Sequence, residues 1–313
     1  MTSKYITKEK NFISVVTYIY NSEQYLDNFL IQIDKLLSEK FEAYEFVMVN
    51  DNSDDKSVEK IKEISKNING KVTIVNLAWQ HNIELAMLSG VDIAIGDFVL
   101  EFDSAIIDFD IDEIWNTYEK CLTGYDVVAA SPNKKSKFTS KLFYRFLNKL
   151  SYRKMDLTTE TFRIISRRAL NRVLKSKEVL RYRKALYHYS GFETTTISYK
   201  SVNDLNIQKD ISFGEKINLS SNILIGFSDI GAKLTNFISV IFFIISISMG
   251  FYAIKSYITL ENIQAGWTTT MIFLSFGFTG VFLILSILAK YMVIILSEVQ
   301  NKPKYVFKSI DRL

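Results

Sequence analysis

Several residues stand where their side chains could do chemistry. Asp51, within Asn50-Asp51-Asn52-Ser53, and Asp103, directly after Asp97-Phe98-Val99-Leu100-Glu101-Phe102, each close a short apolar run. A carboxylate so placed can accept hydrogen bonds from a nucleobase N–H or hold a divalent cation. Tyr20-Asn21 closes the first such run, and Arg163 follows Phe162, with a forked set of donors suited to phosphate. At the second site an ordinary reading stays open, in which residues 50–53 form a turn and Ser53 caps the next helix. Two histidines, His81 and His188, and the single Cys121 exclude a zinc centre built mainly from His and Cys, and also a disulfide framework. Neither G-x-G-x-x-G nor G-x-x-x-x-G-K-[ST] follows any of these runs, which removes the dinucleotide fingerprint and the P-loop. With 38 Lys+Arg against 34 Asp+Glu and a net charge of +4, there is no basic stripe interleaved with aromatics, so nucleic acid is not among the expected partners.

The elements that must position these groups alternate along the first 230 or so residues. Phe12 to Tyr20, Tyr44 to Val49, Val72 to Leu77 and Asp97 to Phe102 read as strands; Glu23 to Ser38, Asp54 to Asn67 and Ile83 to Ala94 read as helices. Strand and helix in turn predict βαβ units and an α/β fold with a mainly parallel sheet. In such a sheet ligands bind beyond the carboxyl ends of the strands, where Tyr20-Asn21, Asp51, Ser53 and Asp103 lie. With 313 residues and 48% hydrophobic content the chain is long enough for a large core and an appendage.

That appendage is the C-terminal part. Phe237 to Ile254 and Thr268 to Ala289 hold no charged residue, and each run is about long enough to cross a ~30 Å hydrocarbon layer at 1.5 Å per residue. Lys233 precedes the first run, Lys290, Lys302, Lys304, Lys308 and Arg312 follow the second, and the connection between them has one Lys and one Glu. The bias of positive charge predicts an integral membrane protein with two spans and both termini cytoplasmic. Apolar positions at Leu219, Ile223, Ile230 and Leu234 predict an interfacial helix before the first span.

The series VVTYIYNSEQYLDNF, VMVNDNSDDKS, LSGVDIAIGDFVLEFDSAIID and FRIISRRAL resembles the family 2 glycosyltransferases with the GT-A fold. KYMVIILSEVQNKPKYVF after two apolar runs is similar to the tail of their membrane-anchored polyisoprenyl-phosphate type. The resemblance implies transfer of a sugar from a nucleotide diphosphate sugar to a polyprenyl phosphate lipid at the cytoplasmic membrane face. It places Tyr20, Asn21 and Asp51 in the nucleotide pocket, with Ser53 beside them, and Arg163 on phosphate. It implies an Asp-x-Asp pair holding Mg or Mn; here that stretch is Asp103-Ser104-Ala105, so the metal would rest on Asp103 with Asp108 as substitute. The position implied for a general base is Thr161, which leaves Glu160 as the candidate catalytic carboxylate. The implied Asn-x-Gly after the third strand is Gln80-His81-Asn82, and Asn tolerates positive φ.

The organisation expected is a GT-A-like domain at 1–216, an interfacial helix at 217–234, transmembrane helices at 235–257 and 268–296, and a cytoplasmic tail at 297–313. The expected partners are a nucleotide diphosphate sugar, polyprenyl phosphate and the bilayer, and assembly as a homo-oligomer is compatible with the sequence. Because Ala105, Thr161, Gln80-His81-Asn82 and the segment beyond Tyr199 all depart from the family, a catalytically silent relative that scaffolds or regulates a glycan-assembly complex stands as the alternative.

Overall fold

The computed structural model of the protein describes residues 8–133, 160–175, 183, 186–187, 191–202, scattered positions between 235 and 255, 266–299 and 305–313. The chain divides into two compact units. The first takes Met1–Tyr144, Met155–Asp210 and Pro303–Leu313, and the second takes Arg145–Lys154 and Ile211–Lys302.

In the first unit the chain runs β1 (Ile13–Ile19), α1 (Glu23–Lys40), β2 (Tyr44–Asn50), α2 (Ser57–Ile64), β3 (Lys71–Leu77), α3 (Ile83–Ile93), β4 (Phe98–Phe102) and α4 (Asp112–Leu122). It continues through β5 (Val127–Pro132), β6 (Phe162–Ser166), α5 (Arg167–Lys175), β7 (Thr194–Tyr199) and, from the far end of the chain, β8 (Phe307–Arg312). One sheet of eight strands has the order β7-β5-β6-β4-β1-β2-β3-β8. Its centre, β4-β1-β2-β3, is parallel, as is β5 with β7; β6 runs antiparallel to β4 and β5, and β8 antiparallel to β3.

The central strands are apolar on both faces because helices cover both sides. In β1, Ile13, Val15, Val16 and Ile19 are all buried. The α1 helix turns Leu26, Phe29, Leu30, Ile33, Leu36 and Leu37 inward at helical spacing. Each such large side chain contributes roughly 1.5–3 kcal/mol over its exposed state. On α3, Gly90 faces β1 and β2 so closely that a Cβ there would stand 2.4 Å from Val49 Cγ2 and 2.6 Å from Val16 Cγ1. No larger residue lets that helix approach the sheet.

The expected α/β fold with a mainly parallel sheet fits what is found, and two readings need correction. Phe307–Arg312, expected in a tail at 297–313, is the eighth strand of the sheet. Without it β3 would be an edge of unpaired backbone groups. Asn76 Nδ2 donates to Ser309 Oγ at 2.9 Å and Lys62 pairs with Asp311 at 3.1 Å, which fixes β8 on β3. Ser53 caps no helix: α2 begins at Ser57, three residues later than a Ser53 cap requires, and Asp55 Oδ1 accepts the Ser57 N–H at 3.1 Å. The interfacial helix expected at 217–234 and His188 lie outside the described residues.

In the second unit, α6 (Trp267–Val299) has 33 residues and no charged side chain before Lys290. Its Gly280 is a seat for an aromatic ring, since a Cβ there would meet Phe242 Cε2 at 2.1 Å, and the Phe242 and Phe276 rings lie 5.5 Å apart. Among the described residues no helix counts as long and apolar enough to cross a membrane. Yet Phe276, Phe278, Phe282, Met292 and Ile295 of α6 are all more than half exposed.

Candidate functional site

At the carboxyl ends of β1, β2 and β3 the chain builds a corner around Asp51. Its carboxylate is fully buried and accepts from three donors: the His81 N–H at 2.7 Å, the Asn82 N–H at 3.2 Å and the Tyr18 hydroxyl at 3.1 Å. Burial, and then the Asp51 charge, push the Tyr18 pKa upward. Asn82 has φ 96° and ψ 161°, a conformation that glycine adopts far more readily. In that conformation its side-chain oxygen accepts the Glu84 and Leu85 N–H groups and caps α3. Asn21 and Asn52 also have positive φ, at 49° and 59°. Asn21 N donates to Ser53 Oγ at 3.1 Å and Asn21 Oδ1 accepts from Asp54 N at 2.9 Å, so Asn21 and Ser53 tie the first strand-end loop to the second. Tyr20 is partly buried beside them, its carbonyl accepting from Ser22 Oγ at 3.1 Å.

His81 joins this corner to β8. Its Nδ1 lies 2.6 Å from the Trp79 carbonyl and its Nε2 lies 3.2 Å from the Val306 N–H. The first contact requires a donor and the second an acceptor, which assigns the neutral imidazole with its proton on Nδ1. The same ring stacks on Trp79 at 5.0 Å and 12°. Trp79 is 55% exposed and so presents a braced aromatic surface beside the Asp51 loop.

Asp103 stands in a different setting. Glu101 and Arg163 are direct cross-strand partners on β4 and β6, and both are buried. Arg163 Nη1 reaches Glu101 Oε2 at 3.3 Å and its Nη2 reaches Asp103 Oδ2 at 3.3 Å. Arg183, also fully buried, donates from Nη1 to Glu101 Oε2, from Nη2 to Asp103 Oδ1 at 2.8 Å, and from Nε to Glu84 Oε2 at 3.2 Å. The Tyr187 hydroxyl donates to the other Glu101 oxygen. Burial alone would lower both arginine pKa values, but the surrounding carboxylates hold them raised. Burial first, and then Glu101, raise Tyr187. Charges withdrawn from water in this way persist only when paired on every side.

Glu160 is buried with its Oε2 3.1 Å from Arg163 Nε, close enough for Coulomb attraction, although that nitrogen has no hydrogen-bond partner. Glu160, Arg163 and Tyr187 line a small cavity with Val127, Ala129 and residues 194–196 of β7. Thr161 Oγ1 is 2.5 Å from the Tyr199 hydroxyl, which donates to Asp108 Oδ1 at 2.9 Å. Burial raises the Tyr199 pKa, Asp108 adds to it and the Thr161 bond opposes it.

The metal expected on Asp103 and Asp108 meets a donor set that does not suit it. Both Asp103 oxygens accept from guanidinium groups, and Asp108 accepts from Tyr199. Ala105, at the position implied for the second carboxylate, is 2% exposed and belongs to the same core cluster as Phe102, Phe109 and Phe162. Among the described residues no group of three His, Cys, Asp or Glu side chains could hold a metal ion.

Of the residues expected from the sequence, the structure brings together Asn21, Asp51 and Ser53 at one corner and Asp103, Glu160 and Arg163 at the other. Asp108 falls with Tyr199 and Thr161. Glu84, Glu101, Arg183, Tyr187 and Trp79 were not among the expected residues. Glu101 had a signal, a charge inside the otherwise apolar run Phe98-Val99-Leu100-Glu101-Phe102. Arg183, within Arg181-Tyr182-Arg183-Lys184, had none that separates it from a solvated basic stretch.

Residues 14–174 match the family described as Glycosyl transferase family 2. An uncharacterized glycosyltransferase of Synechocystis sp. is 25% identical over 305 residues, covering 95% of each chain. The prophage-derived bactoprenol glucosyl transferase of Shigella flexneri is 26% identical over 309 residues, covering 96% of this chain and 98% of its own. Among solved structures, a mannosyltransferase from Pyrobaculum calidifontis in complex with GDP-Man and Mn2+ covers 94% of this chain and 89% of its own, at TM-score 0.48 and 12% identity. A likeness at that level carries no functional weight.

Proposed function

Because the chain belongs to glycosyl transferase family 2, we propose that this glycosyltransferase moves a sugar from a nucleotide diphosphate sugar to the phosphate of a polyprenyl phosphate at the cytoplasmic face of a membrane. The Asp51 corner lies where a parallel sheet offers its ligand site. There Asp51 fixes the loop that carries Trp79 and His81, and the exposed face of Trp79 is available to stack a nucleobase. In this reading Asp51 acts on the nucleotide through that loop, whose His81 and Asn82 N–H groups its carboxylate accepts.

The observation that carries the acceptor is Thr161. A hydroxyl acceptor needs a base to take its proton, and a threonine engaged with Tyr199 supplies none. A phosphate monoester brings its own anion, since its second pKa is about 6. Loss of the base is therefore compatible with attack by a phosphate oxygen and unfavourable to attack by an alcohol. The match to bactoprenol glucosyl transferases over almost the whole chain supports the same acceptor class.

Membrane attachment through the second unit is supported by its own surface. Apolar rings and aliphatic chains on several sides of α6 are exposed, which a helix tolerates when lipid surrounds it. The chain leaves the first unit after β7 and returns to it as β8 on the same sheet. Any excursion through a bilayer between those strands must therefore cross an even number of times, as a two-span hairpin does.

The experiment is transfer from a panel of radiolabelled nucleotide sugars to polyprenyl phosphate in vesicles carrying the full chain. Label in the organic phase for one sugar supports the reading; none with any sugar would reassign the chain as a silent relative.

A further inference from the structure

Asp103 is the strand-end carboxylate that the family resemblance assigns to a divalent cation, and in this chain its charge already has partners. Arg183 Nη2 donates to Oδ1 at 2.8 Å and Arg163 Nη2 to Oδ2 at 3.3 Å. The two guanidiniums are 0% and 1% exposed and share Glu101 as a second partner. A metal binding Asp103 would compete with a buried guanidinium at whichever oxygen it took, and would stand beside two fixed positive charges. Asp103 itself is 21% exposed, so it alone of these groups reaches the open side of the strand end. The neighbouring positions offer a metal little help, since Ala105 is in the core and Asp108 holds Tyr199.

We propose that Arg163 and Arg183 stand in for the divalent cation as the counter-charge of Asp103, so that this chain binds a nucleoside diphosphate without a divalent metal. The inference rests on the nucleotide-sugar reading above. Guanidinium groups do not deprotonate in proteins, so this counter-charge is permanent, whereas a bound metal depends on its concentration. Arg183 is a positioning residue here: it acts through Asp103, and through Glu84 it also fastens the first turn of α3. Asp103 in turn keeps both guanidiniums at the end of β4.

The test uses the full chain in vesicles and two readings. Electron paramagnetic resonance of Mn²⁺ titrated into the protein, without nucleotide, is expected to show no stoichiometric binding at micromolar metal. Calorimetry with UDP and with GDP is expected to give affinities in EDTA and in Mn²⁺ that agree within about twofold. In Arg183→Met, which releases Asp103 Oδ1, stoichiometric Mn²⁺ binding and metal-dependent diphosphate binding should appear; if that variant does not fold, Arg183→Lys, which keeps a charge but loses the fork, should bind Mn²⁺ more tightly than the wild type. Micromolar Mn²⁺ binding by the wild type that is lost in Asp103→Asn, or diphosphate affinity raised tenfold or more by Mn²⁺, overturns the proposal and leaves the nucleotide-sugar reading standing. Failure of UDP and GDP to bind under either condition, with the protein folded, overturns that reading and the proposal with it.

Discussion

Asp51 and Asp103 are the same residue type at equivalent places, each just beyond a central strand of one sheet, yet they are held in opposite ways. Asp51 is surrounded by neutral donors, two backbone N–H groups and a tyrosine hydroxyl. Asp103 is surrounded by charge, two buried guanidiniums that also hold Glu101. The donors of Asp51 come from β1 and from the loop after β3, all within 33 positions, whereas Arg183 reaches Asp103 from 80 positions away. A strand-end carboxylate therefore has no fixed function. A neutral setting lets it shape a ligand loop, and a cationic setting turns it into the counter-ion of the chain's own arginines.

The largest effect should follow from removing Arg183, because Glu101, Asp103 and Glu84 would each lose a buried partner. Arg183→Met is expected to lower stability by about 3–5 kcal/mol in denaturant unfolding, the cost of breaking a buried pair from one side. At the other corner, Asp51→Ala leaves three partly buried donors unsatisfied but no charge stranded. Its expected cost is about 1–3 kcal/mol, with weaker nucleotide binding because the Trp79 loop loosens. Equal losses from the two substitutions would break the distinction between the corners.

Alkaline pH should weaken both corners. Tyr18 at one and Tyr187 at the other have raised pKa values, so on raising pH the unfolded chain loses these protons before the folded one does. The unfolded state then binds fewer protons, and stability falls as pH rises. Buried Cys121, outside both corners, is pushed from 9.0 up to about 12 and should begin the decline first. Thermal unfolding followed upward from pH 9 checks the sign, and Cys121→Ala should remove the earliest part of the fall. Smaller still is Asn82→Gly. Glycine relieves the strain at φ 96° and loses only part of the cap. A gain near 1 kcal/mol would raise Tm by about 2–4 °C.

What could be read in advance followed the range of the interactions. The strands and helices from β1 to β4 have local apolar periods, and the sequence placed them within a residue or two, apart from α2, which is shorter than expected. Asn82 was legible because its residue type tolerates the backbone required. β8 was not, since its pairing with β3 joins Ser309 to Asn76 across 233 positions, and nothing in Phe307–Arg312 names that partner. The metal expected on Asp103 and Asp108 followed from the family resemblance and the residue types at those positions. Its donors are taken up by Arg163, Arg183 and Tyr199, and only the fold brings those groups together. Ala105 likewise read as a missing ligand, whereas its methyl is part of an aromatic core.

On the proposed function, the acceptor brings its own anion to a site whose base position is Thr161. The measurement that tests it most directly sets polyprenyl phosphate beside the corresponding polyprenol, in the same vesicles, with the preferred nucleotide sugar. Transfer to the phosphate, rising with pH through about 6 as the monoester ionises, with none to the alcohol, is the predicted result. Transfer to the alcohol at a comparable rate would contradict it.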